Sequence, residues 1–189
     1  MMFCPRPFSH CEINENGNVY CCCEDWLPEP LGNVLDDDLL TIWKGPAAIK
    51  IRESIVDGSF RHCTACPFLP GPGGPLTLGT KTYPIDRIST LKLDYDQSCN
   101  LTCPSCRLVH SSKFVNHDKI LKIHEAVLES GALNRTDQLY VTGAGDPFAS
   151  KMYWHFLRNL PDLSTNPNLT IFLHTMLIRL TTTTRSVSL

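Results

Sequence analysis

The chain has 189 residues, enough for one domain or two small ones. An apolar share of 42 % is ordinary for a globular protein, and a formal charge of −2 argues against a general nucleic-acid binder. No stretch approaches the roughly 18 consecutive apolar residues of a membrane span, so no membrane association is expected. The opening Met-Met-Phe-Cys-Pro-Arg-Pro has no apolar run of signal type, so the expected location is cytoplasmic. In a reducing compartment ten cysteines read as metal or cluster ligands rather than disulfides, and the Asn-x-Thr sequons at Asn100, Asn134 and Asn168 carry no weight. The cysteines also stop at Cys106, whereas a disulfide net would be spread along the chain.

Seven cysteines fall in the first 70 residues: Cys4, Cys11, Cys21, Cys22, Cys23, Cys63 and Cys66. Phe8 to Cys23 reads as a hairpin turning at Asn16-Gly17, since Asn-Gly accepts the positive φ angles of a two-residue turn. That hairpin brings Cys4 and the Cys21–Cys23 run to one end. Asp36-Asp-Asp is a helix start before Leu39, Leu40, Ile42 and Trp43, and its charge reads as cap and solvated face. A second helix runs from Pro46 to Asp57, with Ile49, Ile51, Arg52, Ile55 and Val56 as its inner face and Gly58 as its stop. Cys63-Thr-Ala-Cys66 follows, and a C-x2-C pair plus two distant cysteines is a common four-thiolate site, for zinc or for a cluster. Cys11 reads as a spare buried thiol.

Gly71-Pro-Gly-Gly-Pro75 has linker composition and divides residues 1–70 from residues 90–189, with 71–89 as the connection. Beyond it strands alternate with helices: strand Thr90–Tyr95, helix Phe114–Gly131, strand Gln138–Thr142, helix Ser150–Leu160 and strand Asn168–Leu173. Ile120, Ile123, Val127 and Leu128 share one helix face; Met152, Phe156, Leu157 and Leu160 point inward on the other helix. This order predicts parallel strands with right-handed crossovers and a site at their carboxyl ends. His110, His117 and His124 read as surface or helix-face residues.

Both distinctive motifs follow strands at that end. The first is Cys99-Asn-Leu-Thr-Cys103-Pro-Ser-Cys106, spaced C-x3-C-x2-C. Three thiolates on one short loop suit a single iron–sulfur cluster or soft metal ion. The alternatives are zinc, with His110 as fourth ligand, or buried free thiols. The second is Thr142-Gly-Ala-Gly-Asp-Pro-Phe148, where glycines permit close backbone approach and Asp146 offers a carboxylate to an ammonium group.

The cysteine loop resembles the signature of the radical S-adenosylmethionine (radical SAM) superfamily. The resemblance implies that Cys99, Cys103 and Cys106 hold a 4Fe–4S cluster whose fourth iron binds SAM. Gly143, Gly145 and Asp146 resemble that family's Gly-Gly-Glu-Pro motif, which contacts the SAM amino group; aspartate shortens the reach. Ser105 stands where the family usually has an aromatic residue.

Residues 3–70 resemble the SPASM/twitch auxiliary-cluster domain of radical SAM peptide-modifying enzymes, in Cys-Pro-x-Pro-Phe, Gly-Asn-Val, Ile-Trp-Lys-Gly-Pro and the Ile-Arg-Glu-Ser-Ile-Val-Asp-Gly-Ser-Phe run. That implies a second, auxiliary 4Fe–4S cluster on Cys4, Cys22, Cys63 and Cys66, the choice of Cys22 among Cys21–Cys23 resting on family spacing. The shorter twitch form fits, because a full SPASM domain carries further cysteines downstream; the module also precedes the SAM loop here, where it usually follows the barrel.

The implied fold class is α/β, an incomplete (β/α) radical SAM partial barrel preceded by a small cysteine-rich α+β domain. Residues 90–189 hold about half the strands of such a barrel, and Thr181 to Leu189 shows no helical face or strand partner. The implied partners are an electron donor such as a flavodoxin or ferredoxin and a peptide or small-molecule substrate. A different class of reading is a non-catalytic iron–sulfur or zinc protein serving electron transfer or partner binding.

Overall fold

The structure is a computed structural model, and it describes residues 3–63, 66–67, 69, 85–103, 116–141 and 145–175. It is an α/β arrangement built on one mixed six-stranded sheet. In chain order the elements are α1 (Arg6–Ser9), β1 (His10–Asn14), β2 (Asn18–Tyr20), β3 (Gly32–Asn33), α2 (Leu39–Lys44), α3 (Pro46–Val56), β4 (Thr90–Asp94), α4 (His117–Glu129), β5 (Gln138–Val141), α5 (Lys151–Leu163) and β6 (Thr170–Leu173). A short 3-10 helix, Ala132–Arg135, follows α4. Among the described residues no helix is long and apolar enough to cross a membrane.

The sheet order is β3-β2-β1-β4-β5-β6. The hairpin strands pair antiparallel, and β4, β5 and β6 are parallel as the strand–helix alternation predicts. The pairing of β1 with β4 was not anticipated. It is parallel and in register over five residues, from His10 opposite Thr90 to Asn14 opposite Asp94. The cysteine-rich segment therefore continues the later sheet and covers one edge of β4.

Alternation makes the two faces unlike. Cys11 and Ile13, Leu91 and Leu93, and Leu139 and Val141 are all at most fractionally exposed and form one core with Trp43, Ile51, Ile123, Tyr153 and Phe156 of the four longer helices. The opposite face carries His10 and Glu12, Thr90 and Lys92, and Gln138 and Tyr140. Such a clean division follows from the period-2 pattern in His10-Cys-Glu-Ile-Asn14 and Thr90-Leu-Lys-Leu-Asp94.

Local chemistry explains most boundaries. Asp38 caps α2 by accepting from the Thr41 N–H at 2.9 Å, Asn116 caps α4 through Lys119 and Ser150 caps α5 through Tyr153. The hairpin turn differs from the two-residue form expected. Gly17 alone has positive φ, +81°, and its N–H donates to Asn14 O at 2.9 Å. Asn14 Oδ1 accepts from the Asn16 and Asn18 N–H groups, so an Asx-type turn with glycine at its left-handed position closes a three-residue loop.

A further expectation is corrected. Ile49 and Val56 are not on the inner face of α3: they are 45 % and 59 % exposed, and Ala48, Arg52 and Ser54 take that face beside Ile51 and Ile55. Arg52 is accommodated because its Nε donates to Pro7 O, its Nη1 to Trp43 O, and its guanidinium lies 4.3 Å over the Trp43 ring. Of the two places expected for His124, surface or helix face, the structure shows the helix face. The residue is buried on α4, with Nδ1 2.8 Å from the Tyr95 hydroxyl and its ring edge-on to Phe156.

Burial first, and the nearby His155 second, depress the His124 pKa to about 4. The unfolded chain therefore takes up this proton near pH 6.5, before the folded protein does. Stability is unaffected above that value and falls as the pH drops from about 6.5 towards 4. We expect His124→Gln to flatten this limb of a urea-midpoint-against-pH curve; an unchanged slope would assign the acid sensitivity elsewhere.

Candidate metal centre

The two groups of cysteines lie in different settings. Among the described residues nine cysteines are free thiols. Cys106 and Gly143 lie outside the described residues, as do Arg107 and His110.

In the first group, Cys4 precedes α1, Cys22 follows β2, and Cys63 and Cys66 follow α3. Cys4, Cys22 and Cys63 are each felt electrostatically by Cys66, and Cys4 also acts on Cys22 and Cys63. Burial is the main cause that raises all three thiols, to about 11 for Cys22 and Cys63. An apolar patch of Phe8, Ile55 and Phe60, with Phe3 and Leu69, packs against Cys4 and Cys63. Among the described residues no three His, Cys, Asp or Glu side chains converge tightly enough to hold a single metal ion.

The neighbouring cysteines face elsewhere. Cys21 is 1 % exposed and is pushed up to about 12, chiefly by burial, with Arg52, Cys22 and Cys63 as its titratable neighbours. Cys11 is completely buried on the apolar sheet face, facing Cys21 and Arg52. Cys23 points to Asp25, with its sulfur 3.9 Å from Oδ2. Cys4 and Cys66 act on Cys22, whereas Cys22 and Cys63 act on Cys21. A set of thiols that is buried at Cys22 and half-buried at Cys4, Cys63 and Cys66 suits a cluster or metal in its donor chemistry: ligation removes the protons that burial otherwise retains.

In the second group, Cys99 and Cys103 stand in the segment that leaves β4 at its carboxyl end, both partly exposed. Its first half is clamped from the β5–α5 connection. The Asp146 N–H donates to Ser98 O at 2.8 Å, and the Ser98 N–H to Asp96 Oδ1 at 2.9 Å. The Ser150 hydroxyl donates to Asp96 Oδ2, and the Asp96 N–H donates to the Tyr153 hydroxyl at 3.3 Å. That hydroxyl donates in turn to Leu93 O at 2.9 Å, so the end of β4 and the start of the loop share one anchor. Asp96, Ser98, Ser150 and Tyr153 are all buried.

Gly145 lies against this loop. A Cβ there would stand 2.7 Å from both Asp96 O and Ser98 O. The adjacent Asp146 is 4 % exposed; its carboxylate accepts from the Phe148 N–H at 2.9 Å and from the Thr175 hydroxyl at 2.8 Å. It ties the β5 loop to the residues following β6.

Sequence reasoning named Gly145 and Asp146 but missed Asp96, Ser150 and Tyr153. The signal was present. Asp96-x-Ser98 is an Asx-turn spacing, and Ser150-x-x-Tyr153 is an N-cap spacing. Only the fold joins them.

Comparison with known proteins bears on the first group. Residues 4–67 match SPASM, an iron–sulfur cluster-binding domain. The matched span contains Cys4, Cys22, Cys63 and Cys66 and ends before the Cys99 loop. No curated protein and no solved structure matches the chain.

Proposed function

We propose that the chain is a radical SAM protein, or part of one, with an auxiliary 4Fe–4S cluster on Cys4, Cys22, Cys63 and Cys66. A SAM-binding 4Fe–4S cluster would be held by Cys99, Cys103 and Cys106. The observation that carries the reading is a C-x3-C-x2-C run that begins at the carboxyl end of a parallel strand, with Gly145 and Asp146 of the next strand's loop packed on Asp96–Ser98 just before it. Cys99, Cys103 and Cys106 would hold the group, which when bound would supply reductive cleavage of SAM and, through it, hydrogen abstraction from a peptide or small molecule. The chain's own part is positional. Asp96, Ser98 and Tyr153 fix where the loop leaves β4, and partly exposed Cys99 and Cys103 leave room for a ligand beside them. Gly143, Gly145 and Asp146 would border SAM. A flavodoxin or ferredoxin would deliver the electron, through the auxiliary site or directly.

A second reading, a non-catalytic iron–sulfur protein, is favoured by one observation: both Asp146 carboxylate oxygens already serve the fold. The two readings separate on anaerobically reconstituted protein. The enzyme reading expects about eight irons per chain, an EPR spectrum of the reduced protein that SAM perturbs, and 5′-deoxyadenosine as product. Cys99→Ala should lose about half the iron and the whole SAM response, while Cys22→Ala should lose about half the iron and keep that response. About four irons without any response to SAM would leave the electron-transfer reading; zinc without iron would end both.

A further inference from the structure

The polar face of the sheet holds a cavity of ≈ 520 Å³. Arg6, His10, Lys92, Gln138, Tyr140 and His174 are among its walls. No described residue of the Cys99–Asp146 clamp lines it. It is therefore separate from the loop just described, and its case rests on its own geometry and not on the cluster reading.

Its walls have donors without acceptors. Arg6 Nε is buried and makes no hydrogen bond, and the guanidinium forms no ion pair among the described residues. Guanidinium cannot shed its charge to escape this situation. His10 is 8 % exposed, and its Nε2 lacks a hydrogen bond too, standing 3.5 Å from Glu12 Oε2. The two nearby carboxylates are already committed. Glu12 and Asp94 hold the Lys92 ammonium at 2.7 and 3.2 Å, and neither is among the described residues lining the cavity. Uncompensated positive charge in the cavity thus comes from Arg6, with Gln138 and Tyr140 among the other lining residues as further donors.

We propose that this cavity binds a small ligand through an oxyanion, a carboxylate or a phosphate, with Arg6 as its charge partner and His10 as a further donor. An arginine fork matches both groups in plane and spacing. The volume suits a metabolite or one to two residues of a peptide. Arg6 also lies in the electrostatic field of Cys4 and Cys22. Its alternative role is to balance charge on those sulfurs, and the test must tell the two apart.

The experiment is isothermal titration of the full, anaerobically reconstituted chain with inorganic phosphate and, separately, with glutarate, alongside an iron count. One probe should bind with 1:1 stoichiometry, and which one distinguishes a phosphate from a carboxylate ligand. Arg6→Gln should weaken that probe by about tenfold or more at unchanged iron content. His174→Ala, at an exposed position whose loss the fold tolerates, should weaken it by about threefold. The proposal is overturned if neither probe binds, or if both variants bind as the parent does. It is overturned equally if Arg6→Gln lowers the iron content and leaves probe affinity intact, which assigns Arg6 to the sulfurs.

Discussion

Gly145→Ala is expected to empty the Cys99 loop while leaving the first cysteine group loaded. The added Cβ would stand 2.7 Å from Asp96 O, 2.7 Å from Ser98 O and 2.9 Å from the Gln97 carbonyl carbon. All three are backbone atoms, so no rotamer change relieves the contact. Either the β5 loop retreats, breaking the Asp146 N–H bond to Ser98 O, or the cysteine segment moves. Overpacking of this kind costs about 1–3 kcal/mol, which at this chain length is a fall of several degrees in Tm, on the order of 2–4 °C for each kcal/mol. The site should suffer more than the fold. Iron should drop from about eight to about four per chain, and SAM should no longer alter the EPR spectrum. A variant that keeps its full iron and its response to SAM would show that the clamp does not shape the loop.

Elements were more legible in this sequence than their partners were. Pro46, Asp38 and Ser150 announce helix starts because capping is chemistry within one turn, whereas the Asn116 cap of α4 was not read from the sequence. The parallel order of β4, β5 and β6 follows from strand–helix alternation for the same local reason. What failed depended on side-chain partners that spacing alone does not name. Asn16-Gly17 marked the hairpin, but Asn14 decided the loop length by accepting from two backbone N–H groups. Ile49 and Val56 are off the inner face of α3, where Ala48 and Ser54 lie instead, while Arg52 stays on it because Pro7 O, Trp43 O and the Trp43 ring receive it there. His124 is buried because Tyr95, 29 positions earlier, offers its hydroxyl. The cysteine groups were legible as spacings. Their surroundings were not, since Asp96, Ser150 and Tyr153 meet only once β4 and α5 are side by side. Pairing of β1 with β4 belongs to the same category: two alternating strands announce their faces but not their neighbours.

That pairing carries the other large effect. Lys92→Met is expected to destabilise the protein by about 1–3 kcal/mol near neutral pH, less than the loss of one partner from a fully buried pair because the lysine side chain is 23 % exposed. Lys92 Nζ lies 2.7 Å from Glu12 Oε1 and 3.2 Å from Asp94 Oδ2, and the Glu12 side chain is only 10 % exposed. The lysine thus joins the cysteine-rich segment to a strand 80 positions later. Methionine keeps most of the volume and leaves two carboxylates facing one another. Burial alone pushes the Glu12 carboxyl up, but the contacts from His10 and Lys92 outweigh it and hold the pKa below the ordinary glutamate value. In the parent, Glu12 therefore contributes stability above the unfolded carboxylate pKa, lost as pH falls through the lower folded one. Without Lys92, only the His10 contact still opposes burial, so the Glu12 pKa rises from its parent value. The folded variant then binds a proton more readily than the folded parent, so its deficit should narrow between pH 7 and about pH 4.5. Urea midpoints of parent and variant at those two values test this. Glu12→Gln in the Lys92→Met background should recover much of the loss at pH 7, because the repulsion goes with the charge. A deficit constant across pH, with no recovery in the double variant, would instead place the contribution of Lys92 in the packing of its methylenes between β1 and β5.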